Sequence, residues 1–199
     1  MTPIDFWFSI GSTYTCLTVM RLPAYASKHG LTFNWRPFNI RTILVEQNNI
    51  PFAGKPMKAA YMWRDFERRA GKYGLSVKVP APYPLENLPL ANQVALLGMQ
   101  EGWGRDYVVA TYRKWFEGGH PAGSEPNLSA SLREIGQDPG RVIEAARSSA
   151  IEDTLAVETE KAKHIGVFGA PSFVVDGEVF WGDDRLEDAV SWARSGRVV

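Results

Sequence analysis

Ile4-Asp5-Phe6-Trp7-Phe8-Ser9-Ile10-Gly11-Ser12-Thr13-Tyr14-Thr15-Cys16 is the stretch on which the fold turns. Its first five residues are rich in β-formers and read as a strand. Gly11-Ser12 marks a turn, and the residues from about Thr13 to His29 read as a helix closed by Gly30, with Pro23 expected to kink it. Leu31-Thr32-Phe33-Asn34-Trp35 then alternates apolar and polar residues, the pattern of a second strand. A β-α-β unit of this length favours a parallel pair with a right-handed crossover.

Outward from that unit the period changes. Ala59, Met62, Trp63, Phe66, Ala70 and Tyr73 recur at three- and four-residue spacing, which predicts a helix ending near Gly74. After a proline-rich connector from Val79 to Pro89, Leu90, Val94 and Leu97 mark a further helix, and Val108, Tyr112 and Trp115 another. Asp138-Pro139 reads as a cap with proline at the first helical position. Ser149-Ala150-Ile151-Glu152 reads as a capping box opening a helix to about His164. Beyond it, Ser172-Phe173-Val174-Val175 and Glu178-Val179-Phe180-Trp181 flank Asp176-Gly177, a strong hairpin signal. Asp184-Arg185-Leu186-Glu187 is expected to cap a terminal helix. The order is β-α-β, a helical block, then β-β-α.

Bulk properties exclude several classes. The 199 residues are 45% hydrophobic, enough for a real core, and carry 22 basic and 22 acidic side chains. That balance lacks the basic surplus a nucleic-acid-binding surface uses. No run of about 20 apolar residues suggests a membrane span. The first residues read as a strand rather than a secretion signal. Cys16 is the only cysteine, so neither an intrachain disulfide nor a cysteine-based zinc cluster can form. His29, His120 and His164 show no metal-ligand spacing. A cytoplasmic location is the expectation.

The element order is that of an α/β thioredoxin-like fold with an inserted helical subdomain: residues 1–40 and 165–199 form the thioredoxin-like part and 41–164 the insertion. Two motifs sharpen the likeness. One is Phe6 to Leu17, a strand-turn-helix with a hydroxyl at the turn. The other runs from Gly166 through Ala170-Pro171 to Trp181-Gly182-Asp183-Asp184-Arg185-Leu186. Together they resemble the 2-hydroxychromene-2-carboxylate isomerases, relatives of the kappa-class glutathione transferases and the DsbA-like group. Lys58 to Gly74, with Tyr61, Asp65, Arg68, Ala70 and Tyr73, is a third similar region.

The resemblance implies glutathione as cofactor and Ser12 as the catalytic residue. In redox branches of this fold a cysteine occupies the same helix mouth, where unpaired N–H groups and the helix dipole favour a thiolate. A serine cannot form a disulfide, but its hydroxyl can donate to a sulfur bound from outside. The bland alternative for Ser12 is a plain N-cap. Ala170-Pro171 resembles the cis-proline of thioredoxin folds, with Ala170 placed to pair with the cysteinyl backbone of glutathione; the alternative is an ordinary trans proline opening a strand. Trp181, Gly182, Asp183 and Asp184 are expected around the γ-glutamyl end, where a helix N-terminus suits the carboxylate and an aspartate the ammonium. Simple capping is the competing role for both acids. The family pattern has Trp-Gly-Asn-Asp here, so Asp183 is a departure. Cys16 reads as a small buried residue.

On the substrate side, Tyr83 matches a contacting position of the family. Thr13 stands where relatives have proline. A polar Asn-Arg pair of the naphthalene-pathway members falls at Phe52-Ala53, and a lysine of theirs around Leu44. The expected function is glutathione-dependent interconversion of 2-hydroxychromene-2-carboxylate and trans-o-hydroxybenzylidenepyruvate, or action on a related aromatic molecule. A kappa-class-like transferase and a non-redox glutathione- or peptide-binding module are the alternatives. A homodimer is implied by the resemblance alone.

Overall fold

The computed structural model describes residues 2–50, 52 and 54–199. Strands β1 (Ile4–Phe8), β2 (Phe33–Pro37), β3 (Ser172–Val175) and β4 (Glu178–Trp181) form one sheet in the order β2-β1-β3-β4. β1 pairs parallel with β2 and antiparallel with β3, and β3 pairs antiparallel with β4. Helix α1 (Thr13–His29) crosses from β1 to β2 and runs through Pro23, which faces solvent. Asp176 and Gly177 both take positive φ, 54° and 84°, as the tight β3–β4 hairpin requires.

The second strand begins two residues later than the alternation suggests. Gly30 ends α1 in the left-handed region, and the Leu31 N–H donates to the Ala26 carbonyl at 2.9 Å. That 6→1 bond is a Schellman closure, which commits Leu31 to the helix end rather than the sheet.

Between β2 and β3 lie α2 (Ile40–Glu46), α3 (Pro56–Lys72), α4 (Leu88–Glu101), α5 (Gly104–Phe116), α6 (Asn127–Glu134), α7 (Pro139–Ala146) and α8 (Ser149–His164); α9 (Leu186–Ser195) closes the chain. Asp138 caps α7, accepting from the Arg141 N–H at 2.7 Å. The capping box at Ser149 does not form. Ser148 is the cap residue, and its hydroxyl donates back to the Ala145 carbonyl at 2.7 Å. Asp184 likewise does not cap α9: Asp183–Arg185 form a 3-10 turn, and the helix starts only at Leu186. Helices α2 and α6 were not signalled by the apolar spacing.

Phe6 and Phe8 from β1, Phe66 from α3, Tyr112 and Trp115 from α5, and Phe173 from β3 belong to one core cluster, each essentially inaccessible. The helical block therefore shares its core with the sheet. Burial of aromatics on this scale dominates the driving force for folding. A smaller cluster of Trp7, Phe38, Ile40, Ile43 and Val174 packs on the other sheet face with Ala162 and Val167.

Candidate active site

The C-terminal end of β1 opens into the loop Ser9–Ser12, and buried polar groups hold this loop in place. Asn92 of α4 accepts from the Ile10 N–H at 2.8 Å and donates to the Ile10 carbonyl at 3.0 Å and to the Leu88 carbonyl at 2.8 Å. The Tyr112 hydroxyl lies 3.0 Å from the Ser9 carbonyl and 3.1 Å from the Ser12 carbonyl. Gly11 has φ 140°, and a Cβ there would stand 2.3 Å from the Leu88 Cδ1 atom, so glycine is required by backbone and by space. Neither Asn92 nor Tyr112 belongs to a local motif. Their roles arise from contacts 82 and 100 residues or more away.

Ser12 is the N-cap of α1, with extended backbone and a hydroxyl that accepts from the Thr15 N–H at 3.3 Å. The same hydroxyl donates to the Ala170 carbonyl at 2.7 Å. The cap geometry is thus present, and a second partner points the hydroxyl across the helix mouth. The first turn of α1 carries no acidic side chain. The first turn's own side chains therefore add no negative charge at the positive end of the helix dipole.

Ala170-Pro171 is a cis peptide. The Pro171 carbonyl accepts from the Gly182 N–H at 2.9 Å, which extends the β3–β4 pairing into the turn after β4. Gly182 has φ 126°, and a Cβ there would meet the Asp184 carboxylate at 2.5 Å. The Trp181 indole is 55% exposed and edge-on to Phe168 at 4.9 Å. Its Nε1 lies where a Cβ on Gly169 would be 2.2 Å away. Ser12, Ala170, Pro171, Trp181 and Gly182 are thereby brought together from opposite ends of the chain.

The two acids after Gly182 face opposite ways. Asp184 is exposed, its nearest cation being Arg185 at 3.6 Å. Asp183 is 2% exposed. Its Oδ1 accepts from the Thr18 hydroxyl at 3.0 Å and Arg21 Nε at 3.1 Å, its Oδ2 from Arg69 at 3.0 Å and the Tyr73 hydroxyl at 3.0 Å. Arg21 also reaches the Asp183 carbonyl and Glu187. Burial alone would lower the Arg21 pKa, but its bond to Glu187 and the charge on Asp183 outweigh it and the net shift is upward. Burial, then the Asp183 charge, raises the Tyr73 pKa. This network ties α1, the C-terminal end of α3 and the 3-10 turn into one piece.

Beside the helix mouth, the Thr13 hydroxyl contacts the Met62 sulfur at 3.2 Å, and the Tyr14 hydroxyl donates to Asp65 at 2.9 Å. Burial, then Asp65, raises the Tyr14 pKa well above its ordinary value. Cys16 is 2% exposed, and burial pushes its thiol pKa well up, so it is chemically quiet. Tyr83 is half-buried between Phe52 and Trp63, with ring centroids 6.1 and 6.0 Å away. Ala53 lies outside the described residues. Among the described residues no group of three or more His, Cys, Asp or Glu is placed to hold a metal, and no helix is long and apolar enough to cross a membrane.

The family model for the DSBA-like thioredoxin domain matches residues 3–191. The chain belongs to this family. Within it, a 2-hydroxychromene-2-carboxylate isomerase of Sphingobium xenophagum is 28% identical over 92% of this chain and 94% of its own length. A solved structure of 2-hydroxychromene-2-carboxylate isomerase superposes with a TM-score of 0.81 at 24% identity, covering 92% of this chain and 90% of that one. The solved structure of the cytosolic disulfide reductase DsbM from Pseudomonas aeruginosa with GSH has the same fold at a TM-score of 0.63 and 13% identity, over 96% of both chains. The resemblance carried by the two motifs is thus matched along nearly the whole chain.

Proposed function

We propose that this DSBA-like protein is a glutathione-dependent isomerase acting on 2-hydroxychromene-2-carboxylate or a related aromatic carboxylate. The observation that carries this reading is the Ser12 hydroxyl, seated at the positive end of α1 and aimed at Ala170. The names of the similar isomerases support the reaction class. A DsbM structure with GSH supports the cofactor.

The donor set fits the tripeptide. Ser12 offers a hydroxyl to its sulfur, Ala170 a backbone carbonyl to its cysteinyl unit, and Trp181 an exposed aromatic wall. Asp184 is the acid we assign to the ammonium, because Asp183 is enclosed by its four donors. Bound glutathione would supply a thiolate that adds to the unsaturated side chain and leaves again after the carbon–carbon bond has turned. A free thiol titrates near pKa ~8.5 and is only a few per cent ionised at neutral pH. A hydroxyl bond and a helix dipole, each worth about 1–2 kcal/mol, together lower that by roughly 1.5 to 3 units.

The direct test is an ultraviolet thiolate titration of bound glutathione in the wild type and in Ser12→Ala, with turnover of the chromene carboxylate measured with and without glutathione. Equal thiol pKa values in the two proteins would overturn the reading. A kappa-class-like transferase is the second reading, favoured by Phe52, which cannot supply the hydrogen bonds of the family's polar pair. Product mass separates the two, since a transferase releases a stable conjugate. A homodimer in the cytoplasm completes the proposal, and light scattering checks the assembly.

A further inference from the structure

Arg41 stands on the rim of the same helix mouth without an acidic partner. Its neighbour Ile40 donates its N–H to the Ser9 hydroxyl at 3.3 Å, so the start of α2 abuts the Ser9–Ser12 loop. The Arg41 guanidinium is half-buried and donates to the Leu85 carbonyl. Three residues on, Leu88 packs against Gly11. Tyr83 stands next to Leu85 in the chain by two residues, and its ring meets Trp63. Trp63 in turn follows Met62, which touches Thr13. Contacts and near neighbours in the chain thus link the Ser9–Ser12 loop to Arg41, Leu85 and Tyr83, and through Trp63 and Met62 to Thr13.

Along this path, Phe52, Trp63 and Tyr83 supply aromatic edges and faces, while Arg41 supplies charge. Among the described residues no carboxylate lies within ion-pairing distance of Arg41, whereas Arg21, Arg64, Arg69, Arg113, Arg141 and Arg185 all have one. A guanidinium presents five donors in a planar fork, and one carbonyl leaves most of them for a ligand. Burial raises the Tyr83 pKa, and the Arg41 charge opposes that rise. Leu44, at the place of the family's lysine, packs into the smaller core cluster and offers no charge.

We propose that Arg41, with the Phe52–Trp63–Tyr83 aromatic trio, is the specificity determinant that binds the carboxylate of a planar conjugated acid. This rests on the isomerase reading for the location of the reacting centre, but its test does not depend on glutathione. Trans-cinnamate and its neutral amide serve as unreactive probes, with affinities measured by calorimetry for the wild type, Arg41→Gln and Arg41→Lys. Glutamine keeps a donor for the Leu85 carbonyl while removing the charge.

The wild type is expected to bind the acid roughly tenfold or more tightly than the amide, as a charge-assisted bidentate bond implies. Arg41→Gln should bring the two probes to within about twofold of each other while leaving glutathione affinity unchanged. Should Arg41→Gln not fold, Arg41→Lys decides: it should lose roughly threefold or more for the acid and nothing for the amide. A wild type indifferent to the probe charge, or variants that keep its preference, would overturn the proposal. Failure of glutathione to bind the wild type would instead strike the cofactor reading and leave the probe ratio to stand on its own.

Discussion

The Ser12 hydroxyl donates to the Ala170 carbonyl at 2.7 Å, joining two positions 158 residues apart across the mouth of α1. That bond orders the hydroxyl and the loop before Pro171 together. To hold a ligand sulfur, the hydroxyl has to turn from Ala170 toward it, and the freed carbonyl becomes available to a peptide backbone. Ser12→Ala removes this donor and the cap of α1 at once. It should cut turnover by roughly tenfold or more, because the bound thiol returns toward its ordinary pKa. Stability should fall by only about 1 kcal/mol, the usual cost of a lost N-cap. Rate and denaturant midpoint, measured on the same sample, separate the two effects.

Asp183→Asn keeps the shape of the buried hub and deletes its charge. Arg21 and Arg69 then share a neutral amide that cannot accept from all four donors. Breaking a buried ion pair on one side costs about 3–5 kcal/mol, and the retained Glu187 partner of Arg21 moderates this. A drop in thermal midpoint with a raised KM for glutathione is expected. An unchanged midpoint would show that the network is not what holds the turn.

Asn92→Leu leaves the N–H and carbonyl of Ile10 buried without their partner. Each orphaned backbone group costs about 1–3 kcal/mol, so the loss should exceed that of Ser12→Ala. Hydrogen exchange at the Ile10 amide is the specific readout, and it should speed up more than exchange in the strand before it.

Gly169→Ala drives a methyl group into the space of the Trp181 indole. The half-exposed ring can swing outward, so the fold should tolerate the change. Its tryptophan fluorescence should shift to the red, and glutathione affinity should weaken by roughly three- to tenfold as one wall of the site is lost. Calorimetry with glutathione checks the second effect.

Away from the site, the hydrogen bond from Arg141, then that from Trp103, holds the Glu101 carboxyl down to about 2. A carboxyl depressed in the folded state stabilises above its unfolded pKa of about 4.3 and loses that contribution as pH falls toward 2. The group is nearly solvent-exposed, so screening leaves a small effect. Arg141→Met should lower the thermal midpoint slightly at pH 6, and the difference from the wild type should vanish near pH 2.

Local chemistry determined much of this protein without reference to the rest of the chain. Asp176-Gly177 specifies the β3–β4 hairpin because both positions need positive φ. Asp138-Pro139 starts α7, Gly30 stops α1, and Ser12 caps the helix that follows β1. Each depends on backbone preferences a few residues wide. Cys16 was legible for the same reason, as a small apolar residue on the inner face of α1.

What the local pattern left open was decided by groups that meet only after folding. Ser149 and Asp184 carry capping chemistry, yet Ser148 stands at the cap position of α8 and Arg185 at that of α9, after the 3-10 turn. From its sequence Asp183 reads, like Asp184, as an acid at the γ-glutamyl end of glutathione or as a helix cap. It becomes a buried hub because Thr18 and Arg21 of α1, Arg69 of α3 and Tyr73 just past the end of α3 arrive with donors that only a carboxylate can satisfy together. Asn92 and Arg41 have no signature of their own, since an amide or a guanidinium acquires a role from the partners around it. Sequence therefore determined most of the elements, whereas tertiary packing chose which polar side chains meet around the helix mouth. Hydrogen bonds and ion pairs between distant segments are set by three-dimensional proximity, which short-range residue preferences do not encode.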